Sequence, residues 1–231
     1  MRLPTLRNRD FEADFGSQGV APGPFELRIA RDKPRAARTL DNEGVIVLAS
    51  ASPRRAEILS NAGIPFIREA PKGIDETPLA GESAKGYVMR LAREKADAVA
   101  MDPGRIVLGA DTAVVVDNAI LGKPSGAADA VRMLRLLSGR AHKVITGICL
   151  RDCDAYVVDA ATTRVWFSEL SETEIDTYVA SGEPMDKAGA YGIQGLASKL
   201  ITRIEGCYFN VMGLPISMVY LYLRASPSFV L

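Results

Sequence analysis

Histidine is nearly missing from this chain: His142 is the only one in 231 residues. Cysteine is scarce too, limited to Cys149, Cys153 and Cys207. An odd number of thiols beside a single imidazole does not make a zinc set. Free thiols in a reducing cytoplasm are the expected state. An excess of positive or negative groups is missing as well: 28 lysines and arginines balance 28 acids, and the formal net charge is zero. A general nucleic-acid binder needs a strong basic excess, so no nucleic-acid partner is expected, although a local basic pocket is compatible with overall neutrality. No apolar run approaches the length of a membrane span, and the N-terminus has no apolar core of a signal peptide, so neither a membrane partner nor export is expected. There is no internal repeat and no heptad array. What is present is 48% hydrophobic and 24% charged residues, the balance of a globular protein with enough chain for a sizeable core.

Residues 1–42 differ from the rest. They hold Pro4, Pro22, Pro24 and Pro34 with mixed charges and no sustained period, and read as a mobile extension. The folded domain is expected over 43–231. It begins with the apolar run Val45 to Ala49, followed by Ser50-Ala51-Ser52-Pro53-Arg54-Arg55 and a helical pattern. Ser52 is placed to be an N-cap and Pro53 to sit at the first helical position. A helix N-terminus offers free N–H groups and a partial positive charge, and two guanidiniums add full charges beside it. The stretch reads either as a polyphosphate cradle using Ser50, Ser52, Arg54 and Arg55, or as a capped helix with two solvated arginines.

Further along, Gly63 is placed to end that helix, and Ile64 to Glu69 reads as a strand. A polar loop, 71–81, holds Asp75 and Glu76. Ser83 caps a long helix whose inner stripe is Val88, Leu91, Ala92, Lys95, Ala96 and Val99. Lys95 stands where an apolar residue is expected: it either snorkels to the rim or points into a site. The run Ile106 to Val116 has Asp111 and Thr112 at its middle. A carboxylate in a buried strand is costly unless it is paired or bound to metal. The alternative is a strand ending at Gly109 with a turn at Asp111. Asp117-Asn118 reads as a hairpin turn, and Ser125 as the cap of the next helix. Lys143 to Leu150 and Ala155 to Phe167 read as long strands, with His142 as a structural residue just before the first. Ser171 to Glu174 is a capping box. Asp186 to Gly195 is glycine-rich and holds Gln194; it reads as a close approach to a ligand or as a surface loop. Leu200 to Glu205 reads as a strand, Asn210 as the cap of a turn, and Ile216 to Leu223 as a closing helix. Strands alternating with helices predict an α/β fold with a mixed, strongly twisted sheet flanked by helices, and two lobes with a central cleft.

In order, Leu48–Arg55, Leu91–Ala96, Gly109–Thr112, Leu121-Gly122-Lys123-Pro124, Leu137-Ser138-Gly139 with His142, Asp186–Gly195 and Gly213-Leu214-Pro215 resemble the Maf family of nucleoside triphosphate pyrophosphatases. The resemblance runs from about Val45 to the last helix. It implies a two-lobed sheet, a homodimer, a cytoplasmic enzyme, and hydrolysis of a nucleoside triphosphate to monophosphate and pyrophosphate. Asp111 then resembles the catalytic acid, acting as general base or metal ligand. Ser50, Ser52, Arg55, Lys95 and Lys123 would hold the phosphates, and Mg²⁺ or Mn²⁺ would sit on Asp111 and Glu76. Relatives that hydrolyse 7-methyl-GTP carry an aromatic at Arg54, glutamine at Thr112 and glutamate at Gln194. Arginine, threonine and a neutral amide here match the dTTP/UTP subgroup instead, and Gln194 can both donate to and accept from a pyrimidine imide edge. The expected substrates are dTTP, UTP and modified pyrimidine triphosphates. The alternatives are 7-methyl-GTP, or a regulatory nucleotide-binding protein linked to cell division.

Overall fold

The computed structural model describes residues 45–100, 105–152 and 155–226. The expected extension, 1–42, lies outside the described residues, as do Cys153 and Asp154 at the expected turn between the two long strands.

The sheet is built on β3 (Ile106–Val116), whose residues apart from Gly109, Asp111 and Thr112 are all apolar. Along one edge β3 pairs antiparallel with β5 (Ala141–Asp152), residue by residue from Ile106 to Val115. Along the other edge it has two partners. β1 (Ile46–Ala49) runs parallel beside Ile106 to Gly109, and β4 (Ala119–Leu121) runs antiparallel beside Val114 to Val116. Among the described residues no strand pairs with Ala110 to Ala113 on that edge, so the sheet is split there. β2 (Phe66–Arg68) extends the sheet beyond β1, while β6 (Ala155–Phe167) and β7 (Ile201–Glu205) extend it beyond β5, giving seven strands of mixed direction. The parallel pairs need crossovers, supplied by α1 (Pro53–Asn61) and α2 (Ala84–Asp97). α1 follows β1 and packs on one face of the sheet, while α2 follows β2 and packs on the other, so β1 stands at the kind of switch point at which open α/β sheets hold ligands.

Alternation along the strands sorts the core into faces. On one face Ile106, Leu108 and Ala110 pack with Ile46, Leu48 and Ile148 under α1 and α6 (Ile216–Ala225). Further along the same face Val114, Val116 and Val144 pack under α3 (Ala127–Leu137) and α4 (Glu172–Ala180). Thr112 and Thr146 interrupt the apolar stripe between these two clusters, and their hydroxyls bond at 3.0 Å. α2 covers the opposite face with Val88, Leu91, Ala92 and Ala96, all fully buried as their spacing predicts. It lies unusually close. A Cβ at Gly109 would collide with the Ala92 carbonyl, and one at Gly147 with the Val88 carbonyl.

Several local expectations hold. Ser83 Oγ accepts from Gly86 N–H, both halves of the Ser171–Glu174 box form, and Gly63 ends α1 with φ +67°. Of the two readings of Ile106 to Val116, the continuous strand holds and the alternative break at Gly109 does not, because β5 pairs with it from Ile106 to Val115. Others are corrected. His142 lies within β5 rather than before it. Ser125 does not cap α3: Gly126 holds the N-cap, and the Ser125 N–H and hydroxyl donate to the Asp129 carboxylate. Asn210 caps nothing; it is fully buried within α5 (Tyr208–Met212) and donates to the Val144 carbonyl and to Thr163 Oγ1.

Candidate active site

A cleft of about 360 Å³ opens at the split in the sheet. Ser50, Ser52, Arg54, Arg55, Glu76, Lys95, Asp111, Thr112, Lys123 and Gln194 all line it. Every residue that the sequence singled out as a site candidate is therefore brought to one cavity, from six separate segments of chain.

The turn after β1 does less capping and more bracing than expected. Ser52 has the extended backbone of an N-cap and Pro53 follows it, but the Ser52 hydroxyl makes no capping bond. The Ser50 hydroxyl instead accepts from Ser52 N–H and from Arg55 Nη1, both at 3.1 Å. Arg55 also donates from Nε to the Gly213 carbonyl at 2.8 Å and from Nη2 to Thr112 Oγ1 at 3.1 Å. It is 9% exposed, so it is neither a solvated arginine nor a free arm. Burial lowers its pKa, while the Asp111 carboxylate works the other way. Its guanidinium is a fixed charge in the cleft wall. Arg54, one residue earlier, faces across the mouth and pairs with Asp186 at 3.1 Å.

Lys95 does not snorkel. Its Nζ lies 2.6 Å from Asp111 Oδ1 and 2.6 Å from Glu76 Oε1. The Asp111 pKa is raised, chiefly by burial, against the pull of the Lys95 and Arg55 charges. For Glu76 burial also pushes upward, but the Lys95 hydrogen bond and charge, with Lys123 and Arg55 behind them, outweigh it and the pKa falls. The two carboxylates that meet on one ammonium are thus pushed in opposite directions, an arrangement common where proton transfer occurs. The loop carrying Glu76 is tied to α2. Tyr87 OH donates to the Glu76 carbonyl at 2.9 Å, and Arg90 bonds the Thr77 carbonyl and both oxygens of Glu82.

Among the described residues no three His, Cys, Asp or Glu side chains form a ready metal cage. Asp111 and Glu76 are two hard oxygen donors already gathered about one positive charge. That fits an Mg²⁺ or Mn²⁺ ion whose shell is completed by phosphate oxygens and water rather than by protein.

Sequence reasoning missed Tyr87, Asp186 and Lys187 as cleft residues. Lys187 Nζ bonds Asp186 Oδ1 at 2.6 Å and the Glu183 carbonyl at 2.7 Å. The glycine spacing of Asp186–Gly195 was the available signal, and it marks a segment rather than side chains. His142 is structural, as expected: its Nε2 lies 2.7 Å from Tyr191 OH, and burial lowers its pKa to about 4.

Comparison with known proteins gives a consistent picture. The family model described as "Maf-like protein" matches residues 45–226. A dTTP/UTP pyrophosphatase of Koribacter versatilis (strain Ellin345) is 53% identical over 180 residues, which cover 78% of this chain and 93% of that protein. Proteins of the same description from Syntrophomonas wolfei subsp. wolfei and Geobacter sp. (strain M21) are each 52% identical, covering 75% and 78% of this chain and 93% and 94% of theirs.

Proposed function

The chain belongs to the Maf family, and on that premise we propose that it hydrolyses dTTP and UTP to the nucleoside monophosphate and pyrophosphate, with 43–231 as the catalytic domain. The observation that carries this reading is the Lys95–Asp111 pair, at 2.6 Å, inside a cleft also lined by Arg54, Arg55 and Lys123. A triphosphate brings several negative charges, and these four cations match them from separate segments.

Asp111 acts as the general base. A water attacks the α-phosphorus, its proton passes to the Asp111 carboxylate, and the bond from the α-phosphorus to the bridging oxygen breaks, releasing pyrophosphate in an in-line displacement. A raised pKa makes Asp111 a stronger proton acceptor than an ordinary aspartate. Lys95 orients the carboxylate and keeps it paired until substrate arrives. Arg55, with its donors tied to Ser50, Thr112 and Gly213, contributes a charge that needs no reorganisation. Asp111 and Glu76 would hold Mg²⁺ or Mn²⁺, which supplies neutralisation of the phosphate charge. Gln194 reads the imide edge of uracil or thymine, and Arg54 and Thr112 stand where a methylated guanine would need other groups. A homodimer and a cytoplasmic location belong to the same proposal.

Purified protein is to be incubated with dTTP, UTP, CTP and 7-methyl-GTP, with Mg²⁺ and with Mn²⁺, and pyrophosphate assayed. Release from dTTP and UTP is expected. Release from 7-methyl-GTP alone would overturn the substrate assignment, and no release from any of the four would overturn the activity.

A further inference from the structure

Gln194 sits in a tight turn: Gly195 N–H donates to the Gly192 carbonyl at 3.1 Å. Both ends of that turn are held from outside. Leu196 N–H donates to Glu183 Oε2 at 2.9 Å, and Gly192 N–H donates to the Tyr178 hydroxyl at 3.2 Å. Tyr178 in turn donates to Glu183 Oε1 at 2.9 Å. One carboxylate, using both oxygens, therefore closes a ring around the residue that faces the cleft. The packing agrees, since a Cβ at Gly195 would collide with the Glu183 carboxylate itself. Glu183 also opens the short 3-10 turn Glu183–Asp186, whose last residue pairs with Arg54.

Resting on the pyrimidine reading above, we propose that Glu183 is a positioning residue for nucleobase choice: with Tyr178 it locks the Gly192–Leu196 turn so that Gln194 meets the base from one fixed place. A glutamine amide can present its oxygen or its nitrogen, and so can suit uracil or cytosine. Discrimination then depends on the placement of the turn that carries it. Fixing that backbone in advance also removes an ordering cost from binding. The chemistry at Asp111 lies elsewhere in the cleft and does not pass through this ring of bonds.

The test is Glu183→Ala with UTP and CTP. KM for UTP is expected to rise about tenfold and the UTP-over-CTP preference to fall about tenfold, with kcat for UTP within about twofold. Glu183→Gln, which keeps an acceptor for Leu196 N–H, is expected to restore most of the preference. In a Gln194→Ala background, Glu183→Ala is expected to change the preference no further. Amide hydrogen exchange at Gly192 and Leu196 is expected to quicken in Glu183→Ala. A lowered melting temperature with KM and preference unchanged, or full additivity with Gln194→Ala, would overturn the proposal. Should Glu183→Ala not fold, Tyr178→Phe removes the hydroxyl's bonds to Gly192 N–H and Glu183 Oε1, leaves the Leu196 link in place, and is expected to shift the preference in the same direction; an unchanged preference there overturns the proposal equally. If the wild type releases no pyrophosphate from UTP or dTTP, the substrate reading fails and hydrogen exchange decides the brace, with unchanged protection counting against it.

Discussion

Arg54 and Arg55 are neighbours of one type at the start of one helix, and the structure predicts losses of very different size from their removal. Arg55→Ala removes three hydrogen bonds from a charged donor, at 2.8, 3.1 and 3.1 Å. At about 1.5 kcal/mol for each bond from a charged donor, the gross loss is roughly 4–5 kcal/mol. Two acceptors keep other partners: Ser50 Oγ retains Ser52 N–H, and Thr112 Oγ1 retains Thr146. The Gly213 carbonyl keeps only a long contact of 3.5 Å from Thr112 Oγ1. Removing the guanidinium also returns its own desolvation cost, the effect that lowers its pKa. The net expectation is a loss of about 3 kcal/mol, or roughly 6–12 °C in melting temperature for a domain of this size. Arg54→Ala breaks one ion pair whose side chains are 22% and 62% exposed, and is expected to cost less than about 1 kcal/mol. Thermal and urea denaturation of both variants, without nucleotide, make the comparison. Equal destabilisation by the two, or a negligible effect of Arg55→Ala, would refute the view that Arg55 is a built-in part of the wall.

Asp111→Asn is expected to lower kcat by about a hundredfold or more with little change in KM; near-normal turnover would move the base to another group. Gly109→Ala forces α2 away from β3 at the Ala92 carbonyl, and is expected to cost about 2 kcal/mol or more in urea denaturation and to lower turnover by misplacing Lys95; a silent change would show that the helix has room. Burial holds the His142 pKa at about 4, against 6.5 for a free side chain. Its contribution to stability is therefore fully present above pH 6.5 and is lost as pH falls toward 4, by about 3 kcal/mol, because the unfolded chain takes up the proton first. Since His142 is the only histidine, one imidazole resonance followed by NMR reads the folded value, and titration above pH 6 would contradict it.

Much of the local architecture was legible from short-range chemistry. Pro53 opens α1 and Gly63 closes it. The 3.6-residue stripe of α2 is buried as its spacing requires, and the Ser171–Glu174 box forms, because each depends on residues within about a turn of one another. The aspartate in an apolar strand was legible too, because a carboxylate there is costly unless it is paired or bound; the lysine on the stripe of α2 left snorkelling and a site both open. Ser125 and Asn210 went the other way. Asp129 competed for the Ser125 hydroxyl, and distant strands claimed the Asn210 amide, which no neighbouring residue could have indicated.

Taken alone, the sequence determined that Asp111 was a strand carboxylate needing a partner or a use, and it left the arginines, Lys95 and the glycine-rich segment each open to a structural and a functional reading. Only the tertiary structure decided who meets whom. Lys95 reaches Asp111 because Gly109 and Gly147 let α2 lie close against β3 and β5. Arg55 turns inward and Arg54 outward because successive helical residues point about 100° apart, and only one of those directions leads to Gly213 and Thr112. The cleft opens at Asp111 because β1 stops at Ala49 and β4 ends at Leu121 beside Val114, leaving that edge of β3 without a strand between them among the described residues. These are contacts between segments far apart in the chain, set by how the layers stack, and no local pattern encodes them.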